Sequence, residues 1–214
     1  MVADRLTQAA SPASSAAILP ACRAARLRVL EALQYQSPGP VYFGVVVEPL
    51  DPQADHVRGD PRGRAIVEYG DYECPYSRRA YREIQRVEAR LGGQVRFAFR
   101  HFPLIEIHPH ALAASAAAEA AHMQGRFWEM HELLFHRQKA LEAGDLRGYA
   151  AELGLDAERF DRDCAGKSVL ARIRRDVESG LASGEVRGTP TLFVDGVVHR
   201  GQYDAESLAR EVAV

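Results

Sequence analysis

Cys74-Pro75-Tyr76-Ser77 is the segment of this sequence whose residue types and spacing could do chemistry. In a Cys-x-x-Cys pair, the second thiol releases the mixed disulfide that the first thiol has formed, so the pair can carry an internal disulfide. Serine at position 77 cannot do this, and Cys74 is left as a single nucleophile. The motif therefore predicts chemistry by one thiol, which can attack a disulfide but cannot close one within the motif.

The position of Cys74 at the start of a predicted helix favours its ionised form. The first backbone N–H groups of a helix are unpaired and its dipole is positive at that end, so an anion is stabilised there. Pro75 suits the first helical position because it needs no N–H partner. We expect Ser77 to donate a hydrogen bond to the sulfur. Since the thiolate is the nucleophile, Cys74 is predicted to be more reactive than Cys22 or Cys164.

The elements around the motif alternate between strand and helix patterns. An apolar strand precedes Cys74, the motif helix ends at two glycines, and an alternating strand follows, which together indicate a βαβ unit. Several helical patterns come next, and the chain then returns to a hairpin, for which Asp195-Gly196 is the signal. The predicted strands are 41–48, 64–69 and 94–101, and the predicted helices are 22–35, 75–91, 109–122, 125–139, one capped by Asp145, 156–164, 167–183 and 204–213. Residues 50–63 are predicted as a polar connection.

These patterns divide the chain into five segments around one α/β fold. We predict a disordered N-terminus, an N-terminal helix and strand, a first half of the fold that carries Cys74, a helical insertion, and a second half of the fold that carries Thr189-Pro190. In that order the segments are 1–21, 22–50, 51–102, 103–185 and 186–214.

Composition excludes several classes of function. The formal charge of −2, from 27 basic and 29 acidic residues, argues against a nucleic-acid partner held through its phosphates. No run approaches the roughly 18 apolar residues of a membrane span. Three cysteines are too few for a disulfide framework. The segment before Cys22 has no clean apolar stretch of the kind that export signals contain, so we expect a cytoplasmic protein rather than a periplasmic or lipid-anchored one.

Four separated stretches carry a resemblance to a known family. They are 55–59 (DHVRG), 67–76 (VEYGDYECPY), 99–104 (FRHFPL) with 108–110 (HPH), and 188–191 (GTPT). In this order they resemble the DsbA-like branch of the thioredoxin superfamily, close to the bacterial subgroup that is also found fused to sodium/proton antiporters. The resemblance covers about residues 51–213. It implies a thioredoxin fold with an inserted all-helical subdomain, and no cofactor.

The resemblance also assigns expected roles to single residues. Pro190 would be the cis-proline that faces the sulfur and leaves the backbone of Thr189 free to pair with an extended substrate. Pro75 and Tyr76 would line the same substrate site. Glu68 would be a buried acid beneath the sulfur that relays protons, with an exposed glutamate on an edge strand as the alternative. A buried carboxyl group has a raised pKa, because burial disfavours its charged form.

The family usually oxidises or isomerises protein thiols with two cysteines. Because residue 77 is serine, that role does not carry over to this chain. The main hypothesis is monothiol exchange on protein disulfides or glutathione mixed disulfides, with glutathione or another thiol as the resolver. Cys22 or Cys164 could resolve instead, although Cys164 shares a helix face with Phe160 and is expected to pack in the insertion. The alternatives are a redox-inactive binding module and a glutathione-dependent transferase or isomerase.

The histidines could suggest a metal site, but their positions in the sequence argue against one. His101, His108 and His110 lie within the stretches of the resemblance, which bind no metal as a rule. A second group, His122, His131 and His136, lies among predicted core residues such as Phe127 and Met130. The sequence therefore predicts no metal site.

Overall fold

The computed structural model describes residues 47–213. The predicted disordered segment 1–21, the predicted helix 22–35 and most of the predicted strand 41–48 lie outside the described residues. Of that strand, only residues 47 and 48 are described, and neither is in a strand.

Five strands form one mixed sheet in the order β1-β3-β2-β4-β5. β2 runs parallel to β3, and the other neighbouring pairs are antiparallel. β2 is therefore the central strand, and six of its seven residues are buried, as expected for a strand covered on both faces. The strands are β1 His56–Gly59, β2 Arg64–Gly70, β3 Val95–His101, β4 Thr191–Val194 and β5 Val197–Val198.

Seven helices pack on the sheet in the described part of the chain. One follows β2, five lie between β3 and β4, and one follows β5, which is the predicted α/β arrangement with a helical insertion. They are α1 Pro75–Leu91, α2 Ala111–His122, α3 Phe127–His136, α4 Ala143–Glu152, α5 Ala157–Cys164, α6 Lys167–Ala182 and α7 Ala205–Val212. A single 3-10 turn, Gly92–Gln94, joins α1 to β3.

The helix ends follow their local chemistry, with one correction. Asp156 and Asp204 cap α5 and α7 by accepting hydrogen bonds from backbone N–H groups three residues ahead. Asp145, however, is not the cap of α4. The helix begins two residues earlier, with Glu142 as its cap and Asp145 in the first turn of a reciprocal capping box. Both carboxylates can cap a helix, so the sequence alone did not decide between them.

Strand β1 lies in the segment that was predicted to be a polar connection. It is four residues long and pairs with the edge of β3, so its stability comes from backbone hydrogen bonds more than from an apolar pattern. Gly59 ends it with a φ of +96°, and a Cβ there would lie 2.5 Å from the carbonyl oxygen of Val95. Such a close approach of two backbones requires glycine.

The sheet separates two apolar cores. The larger lies on the side of α1, α7 and most of the insertion and includes Phe99 and Leu192, together with the predicted core residues Phe127 and Met130. The smaller lies on the opposite face and includes Val67 and Val177. Because successive residues of a strand point to opposite faces, these two cores define the surroundings of the buried β2 side chains.

Candidate functional site

Cys74 lies where β2 passes into α1, as its position before Pro75 predicts. It is the N-cap residue of α1, in an extended conformation, and its carbonyl oxygen accepts the hydrogen bond from the backbone N–H of Arg78. Its own backbone N–H donates to the carbonyl of Asp71 at 3.1 Å, which closes the turn that leaves the strand. The sulfur is therefore held at the positive end of a helix 17 residues long.

The sulfur faces the segment that precedes β4. The thiol of Cys74 donates a hydrogen bond to the carbonyl oxygen of Thr189 at 3.3 Å, and the Thr189–Pro190 peptide bond is cis. Thr191 pairs with Tyr69 across β4 and β2, which fixes this segment next to the end of β2. Two stretches that are more than a hundred residues apart in the sequence thus meet at one sulfur. Only 3% of Cys74 is exposed.

Ser77 lies next to this site, but its hydrogen bond differs from the predicted one. Its side chain is fully buried, and its hydroxyl oxygen accepts a hydrogen bond from the backbone N–H of Asp71 at 3.2 Å. Within residues 47–213, the hydroxyl does not donate to the sulfur of Cys74. Ser77 therefore stabilises the turn that carries Cys74, because the buried Asp71 N–H needs an acceptor.

Gln138 is a site residue that the sequence did not reveal. Its side-chain amide donates to the carbonyl oxygens of Tyr72 and Cys74, at 2.7 and 2.8 Å. It belongs to the loop after α3, so it ties the insertion to the backbone of the thiol turn. A single glutamine in a loop carries no pattern, and only the fold brings it to Cys74.

Two acid–histidine pairs flank Tyr72 in the same turn. Asp71 accepts a hydrogen bond from His108 Nδ1 at 2.7 Å, and Glu73 contacts His110 Nδ1 at 2.9 Å. The hydrogen bond to Glu73 raises the pKa of His110. The His-Pro-His stretch, which was singled out only through the resemblance, thus fixes the segment before Cys74 to the start of the insertion.

Glu68 lies on the face of β2 that is covered by α1. Its neighbours in the sheet, Phe99 and Leu192, both belong to the larger core. It is fully buried on the central strand, so the alternative of an exposed edge-strand glutamate is wrong. Within residues 47–213, neither carboxylate oxygen has a hydrogen-bond partner. Burial raises the pKa of Glu68 to about 8, so the carboxyl group holds its proton at neutral pH.

The remaining candidate residues are two positions at the start of α1 and the other two cysteines. Pro75 and Tyr76 are exposed at the start of α1, with 69% of Tyr76 accessible, so both could contact a bound molecule. Cys164 ends α5 and packs against the larger core, as its predicted pairing with Phe160 suggests. Its thiol lies 3.9 Å from the carbonyl oxygen of Ala116, in the insertion. Cys22 lies outside the described residues.

A second polar cluster shares no side chain with the thiol site. His56 Nε2 and His101 Nε2 lie 2.6 and 2.8 Å from the same oxygen of Glu119, and all three residues are buried. Burial lowers the pKa of His56 to about 4. Burial would raise the pKa of Glu119, but the hydrogen bonds from both histidines outweigh it and hold that pKa far below its usual value. No motif predicted this cluster, because its members come from β1, β3 and α2.

The fold and the site define a class of protein: a thioredoxin-like α/β sheet with one cysteine at the start of its first helix, opposite a cis-proline. The sequence model of the family described as Thioredoxin matches residues 51–212. The chain belongs to the thioredoxin family, and its structural neighbours are DsbA-like.

Two relatives with similar sequences support this assignment. The Na(+)/H(+) antiporter NhaA 1 of Mycolicibacterium gilvum is 46% identical over 168 residues, which are 77% of this chain and 27% of that protein. The corresponding protein of Salinispora arenicola is 45% identical over 166 residues, 77% of this chain and 25% of that protein. The chain thus spans about a quarter of the length of these curated relatives.

Solved structures give the same fold. A thioredoxin-like oxidoreductase from Silicibacter pomeroyi superposes with a TM-score of 0.65 at 33% identity, over 76% of this chain and 91% of that one. BdbD from Bacillus subtilis superposes with a TM-score of 0.69 at 20% identity, over 78% and 96% of the two chains, and at this identity the likeness concerns the fold. Between residues 47 and 213, the structure has no helix that is both long and apolar enough to cross a membrane.

Proposed function

We propose that this protein is a thiol–disulfide oxidoreductase that works through Cys74 as its single nucleophile. The observation that carries the proposal is the place of the sulfur, at the N-terminus of α1 and in hydrogen-bond contact with the carbonyl of Thr189. A helix N-terminus stabilises the thiolate. An extended substrate that pairs with the backbone next to Pro190 would bring its disulfide to this sulfur.

The exchange has two steps. The Cys74 thiolate attacks one sulfur of a substrate disulfide, forms a mixed disulfide with it, and releases the other substrate sulfur as a thiolate. Because residue 77 is serine, an external thiol then attacks the mixed disulfide, which restores the Cys74 thiolate and leaves that thiol in a disulfide with the substrate. Glutathione is the proposed resolver, and protein disulfides or glutathione mixed disulfides are the proposed substrates.

Glu68 is proposed as the proton donor and acceptor of this exchange. It lies on the α1 side of the sheet, and with a pKa raised to about 8 it can hold or give up a proton near neutral pH. Ser77 is proposed to act indirectly, through the turn at Asp71, rather than on the sulfur. Pro75, Tyr76, Thr189 and Pro190 are proposed to contact the substrate.

A glutathione-coupled disulfide reduction assay tests the proposal. We expect activity in the unaltered chain, complete loss in Cys74→Ala, and no change in the matched control Cys164→Ala. Ser77→Cys adds a second thiol, which should release the reduced substrate from the mixed disulfide without glutathione in a single turnover. Activity that survives Cys74→Ala would contradict the proposal. An inactive unaltered chain with an active Ser77→Cys variant would instead show that the scaffold is competent and would favour the alternative of a redox-inactive binding module.

A further inference from the structure

The cluster of His56, His101 and Glu119 has the donor set of a metal centre. Two imidazole nitrogens and one carboxylate oxygen face each other, and the three atoms lie within 4.8 Å of one another. Imidazole and carboxylate are the ligands that Zn²⁺ and related divalent ions take from proteins, and three protein ligands with one open position are typical of reactive zinc sites. The ligand types and their number therefore suit a transition-metal ion.

The cluster also has an opening. A cavity of about 430 Å³ is lined by His56 and Glu119, and by His122 at the end of α2. His122 is exposed, and the centre of its ring lies 4.5 Å from the centre of the His56 ring. The cavity thus gives an ion a path to the buried ligands. It also leaves room for a fourth ligand, either a water molecule or His122.

Arg172 and Arg175 of α6 both line the cavity and are competing cations in this region. Arg175 pairs with Asp55 at 3.5 Å. Arg172 Nε lies 3.7 Å from Glu119 Oε1, and Arg172 Nη1 lies 3.7 Å from Asp176 Oδ1. Both separations exceed hydrogen-bond length, so the guanidinium offsets negative charge without occupying the lone pairs of Glu119. Arg172 Nη1 and Nη2 and His101 Nδ1 are buried with no hydrogen-bond partner among residues 47–213. Buried polar atoms are rarely left unpartnered, and N–H donors need acceptors, so these atoms indicate a water molecule or an anion beside the cluster rather than the metal ion itself.

We propose that His56, His101 and Glu119 bind one divalent transition-metal ion, with the fourth position open to the cavity. Each neutral imidazole would carry its proton on Nδ1 and turn the bare Nε2 toward the ion. Zinc bonds of about 2.0–2.1 Å in a tetrahedral arrangement place neighbouring ligand atoms about 3.3 Å apart. The observed contacts of 2.6 and 2.8 Å between the histidines and Glu119 therefore need to open by about 0.5–0.7 Å to admit the ion.

Zinc titration of the full chain tests this site. The protein is freed of metal with a chelator and carries Cys74→Ser, so that the reactive thiol cannot bind the ion. We expect one Zn²⁺ per chain by calorimetry and metal analysis. Glu119→Gln should weaken binding by at least about tenfold, since changes even outside the ligand set cost about 10–100-fold. The matched control is His136→Ala, an exposed histidine of α3 outside the cluster, and it should leave the affinity unchanged.

A cobalt spectrum keeps the proposal testable if Glu119→Gln does not fold. Co²⁺ in the Cys74→Ser chain should give visible bands of nitrogen and oxygen ligation without a thiolate charge-transfer band, and His56→Gln should change them. The absence of stoichiometric Zn²⁺ binding in this chain would overturn the proposal. Binding that is unaffected by both Glu119→Gln and His56→Gln would overturn it as well.

Discussion

Glu68 and Glu119 are both buried carboxylic acids in the same small protein, yet they are in opposite protonation states. Glu68 lies in the central strand with no hydrogen-bond partner among the described residues, and burial raises its pKa to about 8. Glu119 lies in α2 against two histidines, with Arg172 at 3.7 Å, and its pKa is lowered. Burial disfavours the charged form of both acids, so the partners decide which of them stays ionised.

Glu68 and Glu119 represent two kinds of buried polar site. Glu68 lies beside the apolar core under α1 and is protonated at neutral pH, which would suit the proposed proton relay in thiol exchange. At the edge formed by β1, β3 and α2, Glu119 is a fixed negative charge held by donors, which suits the binding of a cation.

The largest effect is expected in the pH dependence of stability at Glu68. Its folded pKa of about 8 exceeds the ordinary value of 4.5, so the folded protein holds this proton more tightly than the unfolded chain. The free energy of unfolding should therefore fall as the pH rises from 4.5 to 8, by up to about 5 kcal/mol from this group. Glu68→Gln should remove that fall, as measured by urea unfolding at several pH values.

The control for this prediction is Glu106→Gln, which changes an exposed carboxylate. Its unfolding free energy should follow the pH dependence of the unaltered protein. If Glu68→Gln also keeps that pH dependence, Glu68 is not a buried neutral acid and the contrast with Glu119 fails.

A slightly smaller effect is expected at Glu119, with the opposite dependence on pH. Its lowered pKa means that its stabilisation is present above its ordinary value of 4.5 and is lost as the pH falls below it. Removing one member of a buried charged group costs about 3–5 kcal/mol, since the remaining members are left without a partner. Glu119→Gln should lower the unfolding free energy by that amount at pH 7, in the presence of a chelator.

Glu152→Gln is the matched control, because Glu152 pairs with Arg137 on the surface. Exposed ion pairs contribute little, so this variant should unfold like the original chain. Equal unfolding free energies for Glu119→Gln and Glu152→Gln at pH 7 would show that the Glu119 cluster adds no stability.

The smallest effect is expected from packing next to Glu68. A Cβ at Gly70 would lie 2.4 Å from Phe99 Cε2 and 2.9 Å from Glu68 Oε1. Gly70→Ala should therefore destabilise the fold by about 1–3 kcal/mol, the usual cost of overpacking. Thermal unfolding measures it. Gly144→Ala in α4, where a Cβ meets no atom within 4 Å, should have the opposite sign, and a loss of stability there would point to a general glycine effect.

Local patterns predicted the regular elements well. The bounds of α1, α2, β2 and β3 agree with the predicted ones to within two residues, because each has a clear apolar period or a glycine at its end. β1 was missed, since a four-residue edge strand is stabilised by its backbone pairing with β3. The cap of α4 was misplaced because Glu142 and Asp145 both suit that position.

The sequence predicted only those site residues that belong to a recognisable motif. Cys74 and Pro190 were identified by their neighbours in the sequence, and the structure brings the Cys74 sulfur to Thr189. Gln138 and Glu119 belong to no motif. His56 lies 63 residues from Glu119, and no periodicity links positions so far apart.

Local sequence patterns were sufficient to predict the family, most of the regular elements and a single cysteine at the start of a helix. These features depend on residues that are near one another in the chain, where spacing and turn chemistry act directly. The tertiary structure alone decided which partner Ser77 has, that Glu68 is neutral while Glu119 is charged, and that two histidines converge on Glu119. Hydrogen bonding and desolvation depend on what surrounds a group in space, and those surroundings exist only once the distant strands and helices have packed.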